Sequence, residues 1–418
     1  MTNKEMYDIR WKRVTDALSL TEPDTVPLAP VVQCYPYLQA GYTMAEILYD
    51  TTLEKMKDSL FKFVDKYQPD YLFGQDYVDA GQGPSMELSG TKTIRWAGMP
   101  GNVIDDNSIH QFIEFPVLED DEYEEYFSDR AAWILNKGLP RTSSIFEPFR
   151  NFPVKDFGLF NGAGMIAPFL TNPEFKEMQA KLEKIQALNA ENRQRLAQVN
   201  AEIEERGFPT PMKGMAAVPF DGYSDFLRGT IDGLSDLYVH TEEVQAYIDE
   251  EMDKQLAFIK MQGQMIPGRC VFMALHKGMD GFMSDVHYRT FYWDYLQRII
   301  YAIIDNGMIP YIYTEGKYDS RLECLKEVPR GKVIYHFEDV DMAEAKKVLG
   351  DTACISGGFP VYLLDYGTKE QVVDECKRLI DICAPGGGFI FETCYGMDYA
   401  KPENVEAMVD TVRTYGKR

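Results

Sequence analysis

The stretch TACISGGFPVYLLDYGTKEQVVDECKRLIDICAPGGGFIFETCYGMD (residues 352–398) decides the fold. It opens on a short apolar run, TACIS (352–356), and closes near another, GFIFET (388–393). Between them, TKEQVVDECKRLIDICAPGGG (368–388) is amphipathic, starts on a capping threonine and ends in glycines, as a helix does. Strand, helix and strand at this spacing form the repeating unit of a parallel sheet.

The same rhythm extends outward through the chain. Further strands are predicted at PLAPVVQ (27–33), DYLFGQ (70–75), MKGMAAVP (212–219), RCVFMAL (269–275), MIPYIYT (308–314) and GKVIYHF (331–337). Helices are predicted over 284–307, capped by Ser284 and Asp285 and closed at Gly307, and over 401–416, with Pro402 in the first turn. Eight strands alternating with helices is the number that closes a parallel barrel; doubly wound sheets share the alternation. The expected fold is therefore a TIM (β/α)8 barrel, one domain over 1–418 with an insertion at about 76–206. Within the insertion, 76–172 is rich in Gly, Pro, Asp and aromatics, and 173–206 reads as one long charged helix packed on the barrel or seating a partner.

Composition narrows the function. A formal net charge of −23 disfavours a nucleic-acid partner, because phosphate binding needs concentrated Lys and Arg. The longest apolar runs are far too short to cross a bilayer, and the amphipathic start MTNKEMYDIRWKRV lacks the apolar core of a secretory signal. Seven cysteines without paired spacing argue for reduced thiols, and a cytoplasmic location is expected.

In a parallel barrel, reacting groups gather where strands end. The third strand is followed by Pro219-Phe220-Asp221-Gly222-Tyr223, the fourth by His276, and the fifth by Glu315-Gly316. The sixth ends on His336-Phe337-Glu338-Asp339 and the eighth on Glu392-Thr393-Cys394. His336 and Glu338 stand two apart and so share one strand face, and Cys394 belongs to a nearby strand end. Imidazole, carboxylate and thiolate make a three-ligand zinc site with an open fourth position; a hydrogen-bonded histidine, a solvated carboxylate and a packed thiol explain the same residues. Glu315 and His276 are candidate catalytic groups. Phe220, Asp221, Tyr223, Phe282, Met283 and Tyr395 are candidate substrate contacts.

Three segments carry a resemblance: FDGYSDFLRGTIDGLSDLY (220–238), IPYIYTEGKYDSRLE (309–323) and the stretch from CISGGFP to VRTYG (354–416). The last is the more specific, with its Gly-Thr-Lys-Glu, Ala-Pro-Gly-Gly-Gly and Lys-Pro-Glu-Asn-Val turns. About half of the chain resembles the uroporphyrinogen decarboxylase superfamily, which implies a TIM-type barrel. That superfamily contains decarboxylases and zinc-dependent, corrinoid-linked methyltransferases. The decarboxylases hold porphyrinogen carboxylates with arginines in an N-terminal segment. The matching QCYPYLQAGYTMAEI (33–47) has Leu38 and Tyr42 at the arginine positions.

The methyltransferases carry a His-x-Cys pair and a late Cys as zinc ligands, which fall on His336, Glu338 and Cys394. A carboxylate in place of one thiolate makes the zinc a harder Lewis acid, suited to oxygen. The resemblance thus implies a zinc-dependent methyltransferase moving a methyl group from a small methylated donor to the Co(I) of a corrinoid (cobalamin) protein. An aryl methyl ether is the donor that the aromatic and methionine residues suit. Glu315, Asp339 and Glu392 stay open as alternatives to Glu338 in the metal shell, as does a thiol as acceptor. A decarboxylase-like lyase acting on a different carboxylated substrate is the other reading.

Overall fold

Successive side chains of a strand face opposite sides, and this alternation builds the two cores of the molecule. The computed structural model describes residues 1–73, 79–101, 103–156 and 160–418. Two short strands, β1 (Ile94–Arg95) and β2 (Gln111–Phe112), pair antiparallel in the irregular region. The main sheet runs through β3 (Met212–Met215), β4 (Cys270–Leu275), β5 (Ile309–Lys317), β6 (Ile334–Asp339), β7 (Cys354–Gly357) and β8 (Phe389–Ile390). Among the described residues these six are parallel neighbours in chain order.

Two extended segments complete the ring. Phe391 N donates to Pro27 O at 2.8 Å and Ala29 N to Phe391 O at 3.0 Å, which attaches residues 27–29 to the end of β8. Asp70 N then donates to Leu28 O at 2.7 Å, and Leu72 N to Pro209 O at 3.0 Å, just ahead of β3. The fold is a TIM (β/α)8 barrel.

Inside it, Ala29, Val31, Tyr71, Phe73, Cys270, Tyr311, Tyr313, Ile334, Cys354 and Ile390 form one buried cluster. Val14, Ala17 and Leu18 of the helix Asn3–Leu18 join that cluster at the ends where the strands begin, so this helix covers the floor. The alternate residues Val271, Met273, Ile312, Tyr335, Ile355 and Phe391 face the surrounding helices in the larger core. Gly357, at φ +82°, lets β7 approach β6, because a Cβ there would meet Phe337 O at 2.3 Å.

The helices follow their caps. Thr368 and Gln371 form a capping box at the start of Lys369–Cys383, and Pro402 opens Pro402–Tyr415. Ser284 Oγ accepts from His287 N at 3.1 Å, and the expected helix over 284–307 follows in three pieces, with a π-turn at Tyr288–Trp293. A second π-turn, Ser224–Arg228, follows the helix Pro219–Tyr223. Such turns commonly mark functional positions. The insertion holds short helices and then one of 33 residues, Pro173–Glu205, which buries Leu196, Val199 and Ile203.

Strand limits differ from expectation at several points, among them β6, which runs over 334–339 and not 331–337, and β8, which is confined to 389–390. β3 stops at Met215, not 219, because Pro219 already opens a helix; Phe220, Asp221 and Tyr223 are helical, not loop residues. β5 continues to Lys317, so Glu315 and Gly316 lie on the strand, where its pairing with β6 slips between Thr314 and Lys317. The strand expected at 70–75 is extended through 73, and 74–75 lie outside the described residues. No helix among the described residues is long and apolar enough to cross a membrane.

Candidate active site

Strand parity sends His336 of β6 and Glu392, two residues beyond the inward Ile390, into the barrel. Both are fully buried, and His336 Nδ1 lies 2.7 Å from Glu392 Oε2. Tyr311 OH donates to the same Oε2 at 2.6 Å, and Tyr71 OH donates to Oε1. On its other side, His336 Nε2 lies 3.0 Å from the Cys394 carbonyl oxygen. Tyr313 stacks on the imidazole at 4.3 Å and 11°, and its hydroxyl reaches both Glu338 Oε1 and Cys394 O at 3.1 Å. Gly316 N donates to Glu338 Oε2 at 2.8 Å. Tyr313 thus gathers His336, Glu338 and the Cys394 main chain around one ring.

A second group sits at the ends of β3, β4 and β5. Asp221 is buried and accepts from Tyr292 OH at 2.7 Å and from the main-chain N–H groups of Lys277 and His276 at 2.9 and 3.3 Å. Asp225, one helical turn on, accepts from the His276 ring at Nδ1 and from Lys277 Nζ at 2.8 Å. His276 Nε2 points to Glu315 at 3.8 Å. Lys277 Nζ also bonds Glu114 of the insertion at 3.0 Å.

The electrostatics follow from this crowding. Burial pushes Asp221 up to about 6, with Asp225 adding to the rise and His276 opposing it. Glu315 is raised to about 7, by burial first and then by the charges of Glu338, Asp221 and Asp225, with His276 again opposing. For His276, burial disfavours the charge, but the Asp225 hydrogen bond and the charges of Asp221, Glu315 and Asp225 outweigh it and lift the ring to about 9. The same hydrogen bonds, from His276 and Lys277, keep Asp225 below its ordinary value despite burial. At neutral pH the site therefore holds an imidazolium next to a half-protonated carboxyl.

The expected residues divide between these two groups and the core. His276, Glu315 and Asp221 come together. Phe220 and Tyr223 are corrected: both are fully buried and present no surface to a substrate. Tyr223 OH is committed to Asp236 at 2.8 Å. Met283 is 7 % exposed, Phe282 is half-buried, and Tyr395 is open to solvent.

As arranged, His336, Glu338 and Cys394 do not fit a metal ion. Both imidazole nitrogens are engaged by oxygen atoms, Nδ1 by Glu392 and Nε2 by the Cys394 carbonyl, so neither is turned to a metal. Both Glu338 oxygens accept hydrogen bonds. Burial raises the Cys394 thiol to about 11, so it keeps its proton at neutral pH. Among the described residues no three His, Cys, Asp or Glu side chains stand at metal-binding spacing. Glu392, an alternative ligand on sequence grounds, is bound inside the barrel by His336, Tyr311 and Tyr71.

Asp225, Lys277, Tyr292 and Tyr313 were not singled out from sequence. Asp225 carried a signal, its i+4 spacing from Asp221 after a helix-opening proline. Tyr313 carried another, its alternation with Tyr311 along a strand. Glu114, in the irregular insertion, carried none.

Comparison with known proteins adds the following. The family model "Uroporphyrinogen decarboxylase (URO-D)" matches residues 161–415. Uroporphyrinogen decarboxylase of Aromatoleum aromaticum is 28 % identical over 143 residues, 33 % of this chain and 39 % of that protein. The enzyme of Anaeromyxobacter dehalogenans is 25 % identical over 209 residues, 49 % of this chain and 59 % of that protein. The chain thus spans about two fifths to three fifths of the length of these curated relatives. In structure, a methyltransferase from Methanosarcina mazei superposes with a TM-score of 0.59 over 99 % of both chains at 14 % identity, a likeness of fold.

Proposed function

The chain belongs to the uroporphyrinogen decarboxylase family, and from that premise we propose that it is a methyltransferase taking a methyl group from a small methyl-O donor, an aryl methyl ether, to the Co(I) of a corrinoid protein. The observation that carries the proposal is the pair Glu315 and His276, 3.8 Å apart at the strand ends. When a methyl–oxygen bond breaks, Co(I) supplies both electrons of the new bond to carbon, and the donor oxygen keeps the old pair. That oxygen then needs a proton. A carboxyl at about 7 is a strong enough acid to give one and basic enough to regain it near neutral pH. Met279, packed against Gly316, supplies apolar surface beside the acid.

Charge supports the same reading. Asp221, Asp225, Glu315 and Glu338 outnumber His276 and Lys277 at these strand ends, which disfavours a polycarboxylate substrate. Zinc enters no step here: to ligate it, Glu338 would have to leave Tyr313 and Gly316, and Cys394 its proton.

A second reading, a lyase acting on another carboxylated substrate, is favoured by the decarboxylase relatives at 25 % to 28 % identity. In it, Glu315 would protonate the carbanion left after CO₂ departs. Anaerobic mixing with a reduced corrinoid protein and a panel of methylated and carboxylated compounds separates the two. The methyl-Co(III) spectrum with an aryl methyl ether is the expected result. CO₂ release without cobalt methylation would replace the proposal with the second reading.

A further inference from the structure

Asp225 and His276 are joined in a way that the proposed acid role of Glu315 does not by itself require. Asp225 stands on the π-turn Ser224–Arg228, and one of its oxygens takes His276 Nδ1 while the other takes Lys277 Nζ at 2.8 Å. Lys277 is 9 % exposed on its side chain and is itself held by Glu114 at 3.0 Å, so the carboxylate is clamped from behind. The His276 main-chain N–H is anchored on Asp221 at 3.3 Å. With Nδ1 fixed, the ring has one free nitrogen, Nε2, and it faces Glu315.

We infer that Asp225 is a positioning residue that holds His276 as an imidazolium with Nε2–H directed at Glu315, making His276 the group that reloads the acid after each turnover. The inference rests on the proposed role of Glu315. Once Glu315 has given its proton to the donor oxygen, its carboxylate takes the Nε2 proton of His276. This step is uphill, from a group near 9 to one near 7, and reprotonation of the ring then pulls it forward. The N–H bond breaks, an O–H bond forms, and the ring is left neutral. Water at the ring's exposed edge, a third of its surface, returns the proton. Asp225 stays ionised throughout and keeps its bond to Nδ1–H. The 3.8 Å gap is an ion-pair distance, and proton-transfer pairs without substrate are commonly longer than in the reacting complex.

The groups facing His276 all act in one sense or are already paired. Asp221, Asp225 and Glu315 favour its charge. Lys277 opposes it but is neutralised between Asp225 and Glu114. Tyr292 hydrogen-bonds Asp221, not the ring.

The test needs neither corrinoid nor donor, so its outcome is separate from that of the methyl-transfer proposal. Long-range ¹H–¹⁵N NMR of the five histidines, with His276 assigned by His276→Gln, reads ring charge directly. At pH 7.5 both His276 nitrogens are expected to be protonated, with a midpoint near 9. In Asp225→Asn that midpoint is expected to fall by roughly one unit or more, and in Asp225→Glu to recover in part. A neutral His276 ring in the unsubstituted chain at pH 7.5 overturns the inference without any variant. So does an unchanged midpoint in an Asp225→Asn protein whose circular dichroism is native.

Discussion

His336 and Glu392 form a closed pair inside the barrel, Nδ1 to Oε2 at 2.7 Å, with both side chains fully buried. The carboxylate also accepts from Tyr311 and Tyr71, so four side chains from four parts of the barrel wall share one polar knot. Burying such groups is tolerable only while all of them are paired. Glu392→Ala strips partners from His336, Tyr311 and Tyr71 together. It is expected to cost about 3–5 kcal/mol in urea unfolding. A loss within experimental error would show that the knot contributes nothing.

Thiol chemistry separates the cysteines. Cys394 is 4 % exposed and raised to about 11, whereas Cys324 is half-buried. At pH 8 roughly one Cys394 in a thousand is thiolate. Labelling with a disulfide reagent under native conditions is therefore expected to modify Cys324 first and to leave Cys394 intact until the chain unfolds. Rapid native modification of Cys394, located by peptide mass, would contradict its placement.

Zinc is expected to find no tight site at His336, Glu338 and Cys394 near neutral pH, because uptake must displace the thiol proton and both Glu338 hydrogen bonds. Any residual uptake there should climb with pH. Calorimetry in buffers of different ionisation enthalpy would read that proton. Zinc bound without proton release, or with equal affinity in Cys394→Ala, would place the ion elsewhere.

Stability should also depend on pH through the second group. Asp221 and Glu315 are raised to about 6 and about 7, so they bind protons more tightly folded than unfolded. Stability from this source is complete below the usual carboxylate range and is lost as pH rises through those values. His276, raised to about 9, acts in the same sense: its contribution is complete below the ordinary histidine value and is lost as pH rises through 9. Between pH 5 and 8 the urea midpoint of the parent chain should therefore fall further than that of Glu315→Gln. Parallel curves would mean that Glu315 titrates normally.

Much of this could be read from residues, and the reasons for the remainder are physical. Alternation located the barrel because apolar runs and capped amphipathic helices are local signals. Where strands end is not local: β5 runs on to Lys317 because β6 pairs with it past a register slip. Parity put His336 and Glu338 on one face. It could not show depth, and depth sends His336 to Glu392 inside and leaves Glu338 at the rim with Tyr313 and Gly316. Phe220 and Tyr223 were expected at the substrate but lie in the core, since a proline-opened helix rotates them inward.

The most direct measurement is single-turnover methylation of a corrinoid protein by the parent chain and by Glu315→Gln, with two aryl methyl ethers. One ether leaves as an ordinary phenolate, the other as a nitrophenolate that needs no proton. If Glu315 protonates the leaving oxygen, the variant should lose about 10²–10⁴-fold with the ordinary ether. It should lose little with the nitrophenyl ether. Equal losses with both ethers, or none with either, would contradict the role assigned to Glu315.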